Sequence, residues 1–270
     1  MRIVRTIAEL HASLDSLRQR GSVGLVPTMG AYHAGHLALF DAARAENDVV
    51  VVSLFVNPAQ FDSGEDLGDY PRDEEGDAVQ AREAGVDLLF APGGSELYPP
   101  GFATWVDVEG LSERLEGAFR PGHFRGVATV CLKLFNLVRP RRAYFGQKDA
   151  QQAALVKQLV RDLHVGVEIR VVPTVRAADG LALSSRNVRL GAGHRDAALA
   201  LPNALKAGAN AHASGADPAA AAQRVLDAEP LIVPQYVEVA RFDGSVVLAA
   251  AARVGGIRLI DNVVLEEEIT

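Results

Sequence analysis

Short apolar runs alternate with amphipathic stretches through the first two-thirds of the chain. The segments "VGLVPT" (23–28) and "DVVVVSLFVN" (48–57) have the composition of β-strands. The second is almost continuously apolar, as expected of a strand in a parallel sheet that is covered on both faces. An alanine-rich stretch from about 35 to 45 separates them and predicts a helix. The pattern therefore opens with strand, helix and strand, the unit from which parallel sheets are built.

The same alternation continues to about residue 175. From Gly126 to Val138, apolar residues recur three and four positions apart, which predicts an amphipathic helix. The other predicted elements are helices over 73–85 and 149–163, and strands over 86–92, 142–146 and 168–175. Repeated units at this spacing predict an α/β fold with a doubly wound parallel sheet. Ligands of such sheets bind at the carboxyl ends of the strands.

The pattern changes after about residue 175. A turn-rich connector (176–187) is followed by an alanine-rich helical region (192–228) and then by segments that resemble the strands of a small sheet. We therefore expect two domains, 1–175 and 176–270, with the connector in the cleft between them. The acidic, glycine-containing segment 62–76 is expected to be a mobile loop of the kind that can close over a site.

Composition narrows the class of protein. Hydrophobic residues make up 49% and charged residues 23% of the 270 residues, which excludes a mainly disordered chain. The net charge of −7 gives no general attraction to nucleic acids or acidic membranes, and no apolar run predicts a signal sequence or a membrane span. Cys131 is the only cysteine, so no intrachain disulfide can form, and its apolar helical context predicts a core residue. We expect a soluble cytoplasmic protein.

The segment "PTMGAYHAGH" (27–36) is the first candidate for chemistry. His33 and His36 follow a predicted strand and lie at the start of a helix, whose free N–H groups and positive dipole end favour an anion. Gly30 and Gly35 let the backbone approach a ligand closely. The alternatives are two surface histidines, or a metal site, which is less favoured because no cysteine or nearby acid joins the pair. The sequence contains neither a Walker A pattern nor a clean GxGxxG pattern after a strand.

Two further segments carry groups suited to phosphate. Lys148 is one of four lysines against 23 arginines and lies at a predicted strand-to-helix turn, where a compact ammonium suits a phosphate. The neighbouring Asp149 is equally well explained as a helix N-cap or as a ligand, and Gln152 lies one helical turn further on. Ser184–Arg186 place two hydroxyls and a guanidinium in a row on the connector. They form either a polar linker or a second clamp for a triphosphate.

Amide and basic side chains occur at two more turns. Asn57 and Gln60 follow the predicted central strand in "FVNPAQF". Arg120 and His123 lie in the turn-rich segment "EGAFRPGHFRGV" before a predicted helix. For Arg120, the residues alone leave a surface charge and an anion contact equally open.

The chain strongly resembles the pantothenate synthetases, the ATP-dependent pantoate–β-alanine ligases, in six segments that occur in the family's order. They are "PTMGAYHAGH", "LFVNPAQF", "YPRD", "RPGHFRGV", "KLFNLVRPRRAYFGQKDAQQ" and "PTVRAADGLALSSRN". One HxGH segment alone is weak evidence, because the whole nucleotidyltransferase superfamily carries related signatures, whereas six ordered segments are specific. The resemblance implies a Rossmann-like first domain, a small α+β second domain that closes over the ATP site, and a homodimer.

The resemblance also implies a reaction and its site residues. Pantoate and ATP first give pantoyl adenylate and pyrophosphate, and β-alanine then displaces AMP to give pantothenate; Mg²⁺ accompanies ATP, with ligands that the sequence leaves unknown. His36 matches the usual proton donor, and the predicted contacts to pantoate and β-alanine are Asn57, Gln60 and Gln152. The residues matched to ATP binding are Met29, Gly30, His33, His36, Gly146, Gln147, Lys148, Asp149, Val175, Leu183, Ser184, Ser185 and Arg186.

Repulsion between the two anionic substrates must be offset for this reaction to proceed. The groups expected to offset it, together with Mg²⁺, are His33, His36, Lys148 and Arg186. No protein nucleophile is required, since holding the substrates in register supplies much of the rate. The adenylate would hydrolyse in water, which gives the 62–76 loop a reason to close.

Four positions depart from the residues usual in this family. Ala34 replaces an acid, Ala150 an aromatic residue, Ala177 a glutamate and Leu183 a methionine, and none removes a residue given a role above. Two alternatives remain: a nucleotidyltransferase with another small acceptor, and an inactive relative that binds nucleotide or a partner protein. The paired glutamines favour a small hydroxy acid over a phosphorylated acceptor. The complete set of basic and hydroxyl groups argues against the inactive relative.

Overall fold

The computed structural model of the chain describes residues 1–61 and 67–267. In that part of the chain, no helix is long and apolar enough to cross a membrane. Residues 62–66 of the predicted loop 62–76 lie outside the described residues, and residues 74–76 form the first turn of a helix. The prediction that this loop closes over a site remains a prediction.

The chain forms two compact units. The first unit comprises Met1–Gly146 and Leu155–Val172, and the second comprises Gln147–Ala154 and Pro173–Thr270. Residues 147–154 thus group with the C-terminal part of the chain. The domain division predicted at residue 175 stays a prediction.

Parallel strands make the sheet of the first unit. They are β1 (Arg2–Val4), β2 (Val23–Thr28), β3 (Val49–Leu54), β4 (Leu88–Phe90), β5 (Arg142–Gly146) and β6 (Glu168–Val172). Their order across the sheet is β1-β4-β3-β2-β5-β6, and every neighbouring pair is parallel. The predicted Rossmann-like, doubly wound α/β fold is confirmed. The order reverses between β2 and β5, and such a switch point is where these sheets bind ligands.

Helices cover both faces of this sheet. They are α1 (Ile7–Leu17), α2 (Ala34–Glu46), α3 (Glu74–Glu83), the single turns α4 (Gly94–Leu97) and α5 (Glu116–Phe119), α6 (His123–Val138) and α7 (Ala150–Asp162), whose first residues belong to the second unit. Leu25 and Val26 of β2 point to opposite faces and are both fully buried, as the near-continuous apolar strands require. Cys131 is buried in α6, where burial raises the pKa of its thiol to about 12, which confirms it as a core residue.

The sequence and the structure differ at two places in this unit. Strand β1 and helix α1 are not among the elements that the hydrophobic pattern predicts. Strand β6 ends at Val172 rather than at residue 175. Pro173 explains this end, because proline has no N–H to donate to a neighbouring strand.

The second unit has the predicted α+β character. The helical region 192–228 consists of α8 (Ala192–Ala198), α9 (Ala200–Ala213) and α10 (Pro218–Asp227), and the antiparallel strands are β7 (Ile232–Phe242), β8 (Ser245–Val254) and β9 (Ile257–Glu266). The core between helices and sheet is built from leucine and small alanine side chains, among them Leu201, Leu248 and Ala250. A Cβ at Gly208 of α9 would collide with Leu248, so glycine here allows the helix to lie close to the sheet.

Candidate active site

The turn after β2 has a backbone conformation that favours glycine. Gly30 has φ +90° and Ala31 has φ +53°. A Cβ at Gly30 would lie 2.6 Å from Leu54 Cδ1 and 2.7 Å from Asp77 Oδ2. Gly30 therefore serves the turn itself, in addition to any approach of a ligand.

The two histidines of this segment bond to the helix they precede. His33 is the N-cap of α2, and its Nδ1 accepts the N–H of Gly35 at 3.1 Å. His36 Nδ1 accepts the N–H of His33 at 3.4 Å, and the two ring centroids are 4.3 Å apart. Because both Nδ1 atoms act as acceptors, each neutral imidazole carries its proton on Nε2. These two bonds therefore fix the orientation and the neutral tautomer of both rings at the switch point of the sheet.

A buried carboxylate holds the same turn from the other side. Asp77 of α3 accepts the N–H of Ala31 at 2.8 Å and that of Tyr32 at 2.7 Å, and it is 2% exposed. Burial raises the pKa of this carboxyl, although both hydrogen bonds oppose the rise. Asp77 was not predicted as a site residue, since the helix pattern that contains it indicates only an acidic N-terminus.

The predicted acceptor residues lie in one turn after β3. Asn57 caps a single 3₁₀ turn, Pro58–Gln60, and both Asn57 and Gln60 are buried. Gln60 Oε1 accepts a hydrogen bond from Asn57 Nδ2 at 3.0 Å, and Gln60 Nε2 lies 3.0 Å from Met29 Sδ. The Gln60 amide is thus oriented by Asn57 and by the turn that carries the histidines.

The segment "EGAFRPGHFRGV" supports that turn. The backbone carbonyl of Gln60 accepts hydrogen bonds from Arg120 at 3.0 Å and from His123 Nδ1 at 2.8 Å, and the carbonyl of Gly126 accepts one from Asn57 Nδ2 at 3.1 Å. A Cβ at Gly126 would collide with the Ala59 carbonyl, so glycine permits the close approach. Sequence alone left Arg120 open between surface charge and anion contact, and the structure gives it this backbone contact.

In the second unit, Lys148 lies in a short 3₁₀ turn, Gln147–Asp149, that Asn262 of β9 holds in place. Asn262 Nδ2 donates to the carbonyls of Gln147 and Lys148, both at 2.9 Å, and Asn262 Oδ1 accepts from the Gln147 side chain at 3.0 Å. Asn262 is 5% exposed, so these bonds occupy a buried amide. The Lys148 Nζ lies 3.8 Å from Asp149 Oδ1, and Gln152 follows in the first turn of α7.

The connector of the second unit folds back on itself. The N–H of Leu183 donates to the Val175 carbonyl at 3.0 Å, which brings together two residues predicted to contact ATP. Ser184 Oγ accepts the N–H of Arg186 at 3.3 Å and starts a 3₁₀ turn, Ser185–Arg189. Arg176 holds the base of this hairpin through two bonds, of 2.6 and 3.0 Å, to the buried carboxylate of Asp261.

The structure therefore gathers the predicted residues into two groups, one in each unit. In the first unit they are Met29, Gly30, His33, His36, Asn57 and Gln60, with Gly146 ending β5; in the second they are Gln147, Lys148, Asp149, Gln152, Val175, Leu183, Ser184, Ser185 and Arg186. The sequence did not reveal Asp77, Asp261 or Asn262. Each of them acts from an element distant along the chain on the backbone or side chain of a predicted segment, and no local pattern indicates such a partner.

The departures from the family pattern disturb few contacts. Ala34 is exposed at the first position of α2, so it packs against little. Ala177 and Leu183 contribute to the connector through their backbone N–H groups. Every residue except proline carries such a group, so these two hydrogen bonds do not depend on the side chain. Ala150 is 8% exposed, and its small side chain is packed at the start of α7.

Comparison with known proteins gives consistent results along the whole chain. The sequence model of one family, described as pantoate-beta-alanine ligase, matches residues 2–264. The pantothenate synthetase of Moorella thermoacetica is 52% identical over 98% of this chain and 99% of its own length. That of Rhizobium etli is 50% identical over 100% of this chain and 96% of its own.

Solved structures agree with the sequence comparison. The pantothenate synthetase of Thermus thermophilus superposes with a TM-score of 0.93 at 49% identity, covering 98% of this chain and 99% of that one. A pantoate-beta-alanine ligase from Francisella tularensis, described as complexed with beta-gamma ATP and beta-alanine, gives a TM-score of 0.85 at 36% identity over 100% of both chains.

Proposed function

The chain belongs to the pantoate–β-alanine ligase family, and from this premise we propose how its residues join pantoate to β-alanine with ATP. The observation that carries the proposal is the pair of Nε2–H donors, His33 and His36, at the switch point of the sheet. They stand beside the N-terminus of α2, whose dipole favours the phosphates of ATP.

The basic and hydroxyl groups of the predicted segments are assigned to the phosphates of ATP, as in the family. They are His33, His36, Lys148 and Ser184–Arg186. Lys148 has a side chain only 20% exposed, on a turn whose two carbonyls are held by Asn262. A charge on a fixed turn stabilises developing negative charge without reorganisation during the reaction.

The acceptor residues bind the small hydroxy acid. Gln60 and Gln152 hold pantoate, with Gln60 also close to β-alanine, and Asn57 orients the Gln60 amide. Neutral amides suit hydroxyl and carboxylate groups, because the amide NH₂ can donate to either group and the amide oxygen can accept from a hydroxyl. The backbone contacts of Arg120 and His123 keep the Gln60 turn in one conformation.

The reaction then proceeds in two displacements. A carboxylate oxygen of pantoate forms a bond to the α-phosphorus while the bond to the β-phosphate oxygen breaks, and pyrophosphate leaves. The amine nitrogen of β-alanine next bonds to the acyl carbon and loses a proton, while the acyl carbon–oxygen bond breaks and AMP leaves. His33, His36, Lys148 and Arg186 stabilise the charge that moves onto the departing phosphates.

Mg²⁺ would enter with ATP and would supply positive charge that offsets part of the charge of the phosphates. Among the described residues no group of three or more His, Cys, Asp or Glu could hold a metal ion. In nucleotide sites Mg²⁺ commonly takes one or two protein carboxylates, with phosphates and water as its other ligands. Asp149, with a side chain 44% exposed, offers such a carboxylate.

Isotope transfer tests the adenylate mechanism directly. Purified protein supplied with ATP, Mg²⁺, β-alanine and pantoate labelled with ¹⁸O in its carboxylate is expected to form AMP and pyrophosphate in equal amounts. One labelled oxygen should appear in AMP, and exchange of pyrophosphate into ATP should require pantoate but not β-alanine. Formation of ADP and phosphate, or unlabelled AMP, would overturn the mechanism.

Two substitutions test the assigned residues. His36→Ala and Lys148→Ala should each lower kcat by about 10²–10⁴-fold while the protein stays folded. His11→Ala and Lys206→Ala, which change exposed residues of the same types, serve as controls. Rates near that of the unmodified protein in both test variants would remove these residues from the catalytic machinery.

We also infer a homodimer in the cytoplasm. The dimer follows from the family, and a molar mass by light scattering of twice the chain mass is the expected result. The single, buried cysteine suits a reducing compartment. Fractionation of cells that express a tagged chain tests the compartment.

A further inference from the structure

Asp77 is a buried ionisable group that the proposed mechanism does not use. It lies on α3, is 2% exposed, and bonds through both carboxylate oxygens to consecutive N–H groups of the turn after β2. Within the described part of the chain, no Lys, Arg or His forms an ion pair with it, and the nearby Asp73 and Glu74 are also acidic. Two hydrogen bonds satisfy this carboxylate but no cation neutralises it, so its burial carries an electrostatic cost.

The turn that Asp77 holds has an unusual backbone conformation, and its N–H groups are bonded by a side chain from another element. Ala31 has φ +53°, a region that residues with a Cβ seldom occupy. A single carboxylate accepts the N–H groups of Ala31 and Tyr32 within 2.8 Å. Gly30 packs against the same carboxylate, since a Cβ there would lie 2.7 Å from Asp77 Oδ2. These contacts select one conformation of the turn.

The residues on both sides of the turn contact residues of the proposed site. On one side, Tyr32 precedes the N-cap His33, and its ring lies 5.3 Å from that of His36. On the other side, Met29 precedes Gly30 and contacts the amide of Gln60. A shift of the turn would therefore move the imidazoles and the acceptor amide together.

We propose that Asp77 is a positioning residue that fixes the turn between β2 and α2 and thereby sets the places of His33, His36 and Met29. This inference rests on the proposed function, because it assigns those side chains to the substrates. Asp77 itself touches no reacting atom.

The principal test is Asp77→Asn. This change keeps the size of the side chain but replaces one acceptor oxygen by an NH₂ group, which faces a backbone N–H and cannot accept from it. We expect kcat to fall about 100-fold, the effect of a displacement near 1 Å at a reacting centre. The KM for ATP should change much less than kcat, and pyrophosphate–ATP exchange should fall in parallel with kcat. A merely structural role would leave kcat per folded molecule unchanged.

Two companion variants make the result decisive. Asp77→Glu retains the charge but moves the oxygens by about 1.5 Å, one carbon–carbon bond, and should also lower kcat even if Asp77→Asn fails to fold. Glu75→Gln makes the same carboxylate-to-amide change at an exposed position two residues earlier on α3 and should leave kcat within about twofold. Unchanged kcat in the Asp77 variants, with His36→Ala inactive, would overturn the positioning role and leave the proposed function intact. Unchanged kcat in His36→Ala would instead refute the role of the histidines.

Discussion

The parallel sheet of the first unit has an aspartate that accepts backbone N–H groups near each of its two ends: Asp87, which is half-buried, and Asp77, which is buried. Asp87 precedes β4 and accepts the N–H of Val50, close to the start of β3, at 2.9 Å, so it lies at the amino ends of the strands. Asp77 accepts two N–H groups of the turn that follows β2, so it lies at the carboxyl ends. Both carboxylates serve the backbone, but their surroundings differ.

The difference is the presence of cations. Arg20 and Arg44 each form an ion pair with Asp87 at 2.7 Å. Burial alone would raise the pKa of Asp87, but the hydrogen bonds from Val50 and the two arginines outweigh burial and lower it. Burial dominates at Asp77 and raises its pKa. The amino end therefore carries a carboxylate that stabilises the fold, and the carboxyl end carries one that is ionised at a cost.

This contrast shows how the two ends of such a sheet are used. At the amino end, the carboxylate of Asp87 is paired with two arginines. At the carboxyl end, Asp77 holds a turn without a paired cation, and under the proposed function that turn positions the groups that bind substrate. A buried carboxylate without a paired cation, next to a turn with a positive φ, is typical of a functional site.

The strongest test of the contrast uses one glycine at each end. Gly30→Ala places a Cβ against Leu54 and Asp77 in a turn with φ +90°, and we expect kcat/KM to fall about 100-fold because the histidines are displaced. Gly21→Ala, before β2, also faces a positive φ, +133°, and a contact with Asp48, and should lower the free energy of unfolding by about 1–2 kcal/mol. Urea unfolding and steady-state kinetics on both variants provide the measurements.

The two glycine variants separate stability from activity. If the ends differ as described, Gly21→Ala keeps its turnover within about twofold once corrected for folded fraction. An equal loss of turnover in both variants would show that any strain in the sheet impairs catalysis, and the contrast between the ends would be lost.

Sequence patterns predicted most elements of this unit, although not β1 and α1, because strands buried on both faces are almost continuously apolar. The run 49–54 of β3 contains four consecutive valines, and the helix at 123–138 follows the three- and four-residue spacing of an amphipathic helix. The segments with the histidines, Lys148 and Ser184–Arg186 carry residue types suited to phosphate at predicted turns. Each segment alone left a structural explanation open, and the family resemblance gave them their predicted roles, which stay predictions.

Partners that reach a site from elsewhere could not be predicted in this way. Asp77 lies 45 residues beyond Tyr32 and Asn262 lies 114 beyond Lys148 along the chain, and both meet backbone groups that every residue possesses. Their identity follows from what each turn exposes: N–H groups require the acceptor carboxylate of Asp77, and carbonyls require the donor amide of Asn262. Only the tertiary structure shows which groups a turn exposes.

A second test addresses stability at the amino end. Asp87→Asn removes the partner of two arginines and should lower the free energy of unfolding by about 1–3 kcal/mol at neutral pH, with kcat nearly unchanged. The folded-state pKa of Asp87 is lowered, so its contribution is present above the ordinary value of about 3.9 and is lost as pH falls through the folded pKa. The gap between the two proteins in urea unfolding should therefore close in acid. A constant gap would contradict the ion-pair explanation.

The opposite pH trend is expected for Asp77→Asn. The folded-state pKa of Asp77 is raised, so the ionised carboxylate lowers stability above that pKa, and this penalty is absent below about 3.9, where both states bind the proton. As pH rises from about 3.9 through the folded-state pKa, Asp77→Asn should gain stability relative to the unmodified protein. The lost hydrogen bond changes the free energy of unfolding by an amount that does not depend on pH, so it does not alter this trend. Two slopes of the same sign for Asp77→Asn and Asp87→Asn would remove the electrostatic distinction between the ends.

The smallest expected effect is that of an exposed charge introduced at Ala34, at the carboxyl end of the sheet. Ala34 is exposed at the first position of α2, so Ala34→Asp places an acid beside the positive end of the helix and should stabilise the protein by about 0.3–1 kcal/mol. Ala34→Lys is the matched control and should destabilise it by a similar amount, with both shifts reduced by salt. If Ala34→Asp also lowers kcat by tenfold or more, the new negative charge acts on the substrate phosphates. The uncharged alanine would then favour catalysis because it places no acid beside the histidine pair. If kcat stays within about twofold, the position affects only the helix, and the functional part of this end is confined to the turn that Asp77 holds.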